Sequence, residues 1–209
     1  MKTFVAIPCQ DHVPVGFVRS LISIKPVGLM QFTFAQGSLV YDARNQLANM
    51  AIDGGFDRVL WLDSDMEFPP ELLEKLSKHL DDGKEIVSGL YFSRKHPIRA
   101  VAYEKVGMDG NGMPCAESIH EWPKDEPFRI EACGFGAVLH TVDLLKRIRD
   151  KFKLPFSPIL GFGEDLSFCL RAKDLGAKIW CDPTVRLGHI GQTVFDESSF
   201  LMGMQKNNE

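Results

Sequence analysis

The stretch RVLWLDSDMEF, residues 58 to 68, decides how the chain is read. Val59, Leu60, Trp61 and Leu62 make a short apolar run of the kind expected for a strand buried inside a sheet. The run then ends on Asp63 and Asp65 with one residue between them. Side chains two apart on an extended segment point to the same face, so the two charges are brought together and repel. Two explanations stand: the pair opens and caps a loop, or a cation lies between the carboxylates.

Working outward toward the N-terminus, Thr3 to Pro8 reads as a strand. A helix follows from Pro14, with Phe17, Leu21 and Ile24 at helical spacing and Pro26 as its stop. LMQFTFA alternates, with Met30, Phe32 and Phe34 on one face, and Gln36-Gly37-Ser38 makes a turn. ARNQLANMAIDGG predicts a helix with Leu47, Met50 and Ala51 inward and Gly54-Gly55 at its end. Toward the C-terminus, Pro69-Pro70 suit the start of a helix carrying the stripe Leu72, Leu73, Leu76 and Leu80, and EIVSGLY is a further strand. Strands alternating with helices predict an α/β fold, a mainly parallel sheet covered on both faces. Ligands bind such sheets outside the carboxyl ends of the strands, which is where Asp63 and Asp65 stand.

The second half reads differently. Turn signals (MDGNGMP, WPKDEP) between Arg99 and Ile130 predict a hairpin insertion over 99–130. A helix is expected from about Thr141 to Phe152, another over GEDLSFCLRAKDLG with Leu166, Cys169 and Leu170 inward, then strands AKIWC and TVRLG. Residues 1–191 read as one domain, followed by a tail, 192–209.

Composition narrows the function classes. With 44% hydrophobic and 25% charged residues, the 209-residue chain can build a core and keep a wet surface. A net charge of −4 argues against non-specific coating of nucleic acid. Met1 opens onto a strand pattern rather than a leader, and no apolar run has the length of a membrane span. Cys9, Cys115, Cys133, Cys169 and Cys181 have neither zinc nor disulfide spacing, which suits a reducing cytoplasm; no obligatory protein partner is evident.

Two further features bear on the aspartates. Glu164-Asp165 follow Gly161-Phe162-Gly163 at a helix start, where the dipole favours ionised carboxylates; a purely capping pair would look the same. His189, in LGHIG, is either a structural histidine or a third ligand to the ion that Asp63 and Asp65 would hold, Mn²⁺ or Mg²⁺.

Taken in order, ARNQLA, a strand ending WLDSD, FPPELLEKL, EIVSGLYFSRKHP, CGFGAVL, GFGEDLSFCLRAKDLG and LGHIG resemble a GT-A-fold glycosyltransferase. The likeness is nearest to the compact family-2-like enzymes of phages and bacteria, and it runs from Pro8 to about His189. It implies a single GT-A (Rossmann-like) domain with Asp63, Asp65 and His189 on the metal, and Asp63 or Ser64 touching the ribose. Arg44 and Asn45 would face the nucleotide, and Pro8 and Gln10 the base. Gly134, Phe135 and Gly136 would line the sugar pocket. Asp165 would be the base of an inverting reaction, with Glu164 holding sugar or acceptor hydroxyls. The implied donor is a nucleotide-diphosphate sugar, a UDP-hexose in the first instance. The region AQGS lacks the acidic residue with which many relatives read the nucleobase or ribose.

Several residues keep two readings. Arg94, Lys95 and His96 meet phosphate or acceptor, or are simply solvated. Trp122 is a stacking platform or packs the insertion onto the core. KRIRDKFK, 146 to 153, is the wet side of a helix or a track for an anionic acceptor such as DNA. The tail is a lid over the donor or a frayed end. The acceptor stays open among glycan, protein, lipid-linked sugar and modified DNA base. The rival classes are a nucleotidyltransferase, for which IPCQDHVP is a poor phosphate loop, and a non-catalytic nucleotide-sugar or glycan-binding module.

Overall fold

The computed structural model describes residues 1–37, 39–191 and 194–206. The first half runs β1 (Lys2–Cys9), α1 (Val15–Ser23), β2 (Leu29–Gln36), α2 (Val40–Asp53), β3 (Arg58–Leu62), β4 (Met66–Glu67), α3 (Leu72–Asp81) and β5 (Ile86–Leu90). The hairpin strands β6 (Ala102–Met108) and β7 (Pro114–Ser118) follow, then β8 (Phe128–Ile130), β9 (Ala132–Cys133) and β10 (Ala137–Thr141). The chain continues through α4 (Val142–Phe152), α5 (Glu164–Asp174), β11 (Ile179–Arg186), β12 (Gly188–Ile190), β13 (Val194–Phe195) and α6 (Glu197–Lys206).

The main sheet has the order β2-β1-β3-β10-β5-β11-β8. β10 is antiparallel to both β3 and β5, and β8 is antiparallel to β11; the other strands share one direction. All five residues of β3 are buried, because both faces of the sheet are covered. Leu60 and Leu62 pack with Phe17 of α1 and Leu72, Leu73 and Leu76 of α3. Val59 and Trp61 pack with Leu47 of α2, Leu144 and Ile148 of α4 and Phe168 of α5. Each such buried side chain contributes about 1.5–3 kcal/mol relative to exposure. The mixed, mainly parallel sheet with helices on both faces is the expected one.

Two boundaries differ from expectation. The insertion ends early: β6 and β7 form the hairpin and join β9 in a small sheet, whereas β8, still inside 99–130, belongs to the edge of the main sheet. AKIWC and TVRLG are one irregular strand, β11, whose register on β5 shifts between Asp182 and Arg186. No helix among the described residues is long and apolar enough to cross a membrane.

Candidate functional site

The strand β3 stops where Asp63 N–H donates to Gly136 O at 3.1 Å, and a turn closes through Met66 N–H to Asp63 O at 3.2 Å. The chain then enters β4, which pairs antiparallel with β12, placing His189 opposite Met66. Ile190 N–H donates to Asp65 O at 2.7 Å, so the backbone itself holds the histidine strand against the aspartate turn. A cavity of about 560 Å³ opens here, at the carboxyl ends of β1 and β3. Pro8, Gln10, Arg44, Asp63, Ser64, Asp65, Glu164 and His189 are among the residues that line it.

The two aspartates face different partners. Arg44, at the start of α2 and only 2% exposed, gives Nη2 to Asp63 Oδ1 at 2.6 Å and Nε to Glu164 Oε1 at 3.2 Å. Its guanidinium lies over the rings of Phe135, Trp61 and Phe156, at 5.2, 5.7 and 5.8 Å from their centroids. Burial pulls its pKa down, but Asp63 and Glu164 push it up by more, so Arg44 stays charged. Arg44 thus reaches the cavity wall chiefly as a clamp on two carboxylates. Its Nη1 is buried with no partner among the described residues. Asp63 itself is raised above its ordinary value: burial, with repulsion from Asp65 and Glu164, outweighs Arg44.

Asp65 belongs to a wetter group. Its Oδ2 lies 3.4 Å from His189 Nε2 and 3.0 Å from Arg94 Nη1. These neighbours hold it below its ordinary value in spite of its burial. His189 Nδ1 sits 2.9 Å from Phe92 O, which orients the ring with Nε2 toward Asp65 Oδ2. At that separation the two atoms can share a proton or a cation. Two ligand atoms bound to one small divalent ion stand roughly 3 to 3.5 Å apart, so Asp65 and His189 fit a Mg²⁺- or Mn²⁺-like ion. Asp63 is not gathered in: its Oδ1 is taken by Arg44, and among the described residues no three His, Cys, Asp or Glu side chains converge as a ready metal cluster.

Asp165 stands in the first turn of α5, its Oδ1 accepting Leu166 N–H at 2.7 Å. Burial and the Glu164 charge push it up to about 6. A carboxylate in that range exchanges a proton near neutral pH, which is what a general base requires.

Several expected placements are corrected. Asn45 is buried, and its Oδ1 accepts Phe156 N–H at 3.0 Å; it pins the segment before α5 instead of facing the cavity. Gly134, Phe135 and Gly136 do not line the cavity. Phe135 is in the core, edge-on to Trp61, Phe156 and Phe168. The flanking residues are glycines because Tyr91 packs against them: a Cβ would meet Tyr91 Oη at 2.1 Å from position 134 and Tyr91 Cζ at 2.9 Å from position 136. Of the two readings of Trp122 the packing one holds, since it is buried against Phe92, Lys124 and Phe200.

The tail is not a lid on this cavity either. β13 pairs with β12, and Phe200 stacks on Phe92 with centroids 4.8 Å apart. Val194, Asp196, Glu197, Ser198 and Leu201 instead wall a second cavity of about 670 Å³. Residues 192–193 and 207–209 of the tail lie outside the described residues. On α4, Arg147 pairs with Glu85 and Asp143, Arg149 with Asp53, and Lys151 with Asp174, which offsets part of the charge a nucleic-acid track would need. Cys9, His12, Gly37, Val40 and Ala43 also line the cavity; the carboxyl-end rule for β1 points to the first two, and no motif marks the others. Of the two readings of Arg94, solvated or facing a ligand, its place in the cavity wall favours the second.

No protein-family model and no curated protein matches the sequence. The structure is similar to the crystal structure of A197 from STIV, with a TM-score of 0.67 and 18% identity, over 91% of this chain and 86% of that one. At that identity the likeness shows the fold alone.

Proposed function

We propose that the chain is a glycosyltransferase that moves a hexose from a nucleotide-diphosphate sugar, a UDP-hexose in the first instance, to an acceptor hydroxyl with inversion. One observation carries this reading. The carboxylates of Asp63, Asp65, Glu164 and Asp165 gather with the guanidinium groups of Arg44 and Arg94 and with His189 at the carboxyl edge of the sheet, around or beside one cavity. Acids outnumber bases there, which suits a cation and its anionic ligand better than an anion alone. The ordered resemblance of the motifs supports the same conclusion.

In this reading Asp165 takes the proton of the acceptor hydroxyl as its oxygen bonds to the anomeric carbon. The bond from that carbon to the diphosphate oxygen breaks, and its electron pair leaves with the diphosphate. Asp65 and His189 would hold a Mn²⁺ or Mg²⁺ ion, which supplies Lewis-acid stabilisation of the leaving group. Glu164, fixed by Arg44 Nε, holds a sugar or acceptor hydroxyl.

The test is nucleotide release from UDP-hexoses with Mn²⁺, comparing the protein with Asp165→Asn. Loss of base catalysis should slow turnover by about 10²–10⁴-fold while nucleotide binding persists. Equal rates for the two proteins overturn the base assignment. Absence of metal-dependent nucleotide-sugar binding overturns the reading as a whole.

A further inference from the structure

We infer that Arg94 is a diphosphate-binding residue that exchanges Asp65 for the phosphate of the incoming ligand; this rests on the donor reading above. Arg94 follows the bridge between Phe92 and Ala100, at the neck of a loop. The neck is fastened by Ser93 N–H to Arg99 O at 2.8 Å and by Arg99 N–H to Ser93 Oγ at 3.1 Å. The backbone is therefore held while a long side chain reaches from it into the cavity that Asp63, Ser64, Asp65 and His189 line. Lys95 and His96, its basic neighbours, are exposed and do not line that cavity.

Arg94 Nη1 has two roles at once. It donates to Ile190 O at 2.8 Å, on the strand that carries His189, and it lies 3.0 Å from Asp65 Oδ2. That oxygen is the atom His189 Nε2 also faces. A divalent ion taken up between Asp65 and His189 would put like charges within a few ångströms, which is unfavourable even in high dielectric. The ion and the guanidinium thus compete for one carboxylate oxygen. A diphosphate resolves the competition, because its oxygens accept from the guanidinium and also ligate the ion. Arg94 is suited to that exchange: it keeps its anchor on Ile190 O, its side chain is 43% exposed, and a guanidinium offers further N–H donors in a fork that matches phosphate. An ordinary surface ion pair would explain the Asp65 contact, but such a pair makes no prediction about ligands.

The two accounts differ in sign. Titration calorimetry of the full chain and of Arg94→Ala is made with Mn²⁺ alone, then with the tightest binder among UDP, GDP, ADP, CDP and dTDP at saturating Mn²⁺, and then with the matching monophosphate. Arg94→Ala should bind Mn²⁺ alone about fivefold more tightly, since its competitor is gone. The same variant should bind the diphosphate about tenfold more weakly and change little toward the monophosphate. Arg94→Lys should fall between, because it keeps the charge and loses the fork. A diphosphate affinity within twofold of the parent overturns the inference, and so does a parallel weakening of metal and diphosphate, which is the mark of a structural role. A parent protein that binds none of the five diphosphates removes the donor reading and this inference together, a result distinct from either.

Discussion

Asp63 leans on a guanidinium that is 2% exposed and roofed by aromatic rings, whereas Asp65, two residues further on, leans on one that is 43% exposed and on a histidine. The sequence pattern presents them as an equivalent pair. The turn at the end of β3 separates them, sending one carboxylate toward α2 and α5 and the other toward β12 and the loop after β5. The first neighbourhood is a fixed frame, since Arg44 bonds to carboxylates 19 and 120 residues away and so ties β3 to α5 through α2. The second has one carboxylate oxygen shared between Arg94 and His189, and a shared atom is one that a ligand can claim. The same motif therefore supplies a fixed frame at Asp63 and an exchangeable contact at Asp65.

The largest break in that comparison should come from Arg44→Met. It leaves Asp63 and Glu164 without their cation in a largely desolvated corner, and removing one partner of a buried ion pair costs about 3 kcal/mol or more. Urea denaturation should show a lower midpoint with an unchanged slope. Arg44→Lys should recover only part, because an ammonium cannot address both carboxylates with the geometry of Nε and Nη2. A loss below about 1 kcal/mol for Arg44→Met would place Asp63 in the same class as Asp65 and dissolve the distinction.

A pH profile sharpens the comparison from the side of α5. Asp165 sits next to the framed carboxylate Glu164, and burial with that neighbour's charge raises it from 3.8 to about 6. As a base it must be ionised, so turnover should fall about tenfold per unit as pH drops below about 6. Stability runs the other way. A group whose folded-state pKa is raised contributes stability that is fully present below 3.8 and is lost as pH rises through about 6. The melting temperature of the protein relative to Asp165→Asn should therefore climb on acidification across that window. A rate that stays level down to pH 5 removes Asp165 from the reaction.

How much of this was legible depends on the distance to the cause. Arg58 to Leu62 were readable as a strand because their apolar run is local, and Asp63, Asp65, Glu164 and Asp165 because strand ends and helix starts are local too. Gly134 and Gly136 were misread because what forbids a side chain there is Tyr91, more than 40 residues away. Asn45 was misread because its partner, the amide of Phe156, is 111 residues off. Trp122 meets Phe200 through folding of the tail, and nothing in SIHEWPKDEP foretells it. β10 looked like any apolar run; that it enters antiparallel between β3 and β5 is decided by the sheet. The motifs do converge on one corner of the molecule, but which of their residues line the cavity and which support it is decided by these distant partners.

The smallest expected effect is also the most direct reading of the difference between the two aspartates. Asp65→Asn removes a carboxylate whose partners, Arg94 and His189, remain in contact with water or keep their bonds to Ile190 O and Phe92 O. Its loss should cost about 1 kcal/mol or less at pH 7, measured in the presence of a chelator. Because Asp65 is held below 3.8, what it contributes is present above that value and is lost as pH falls through its lowered pKa. The stability gap between the protein and Asp65→Asn should thus close in acid. The same variant should lose the melting-temperature gain that Mn²⁺ gives the parent, although its fold is nearly as stable. If Asp65→Asn instead costs as much as Arg44→Met, both aspartates are framework and neither waits for an ion.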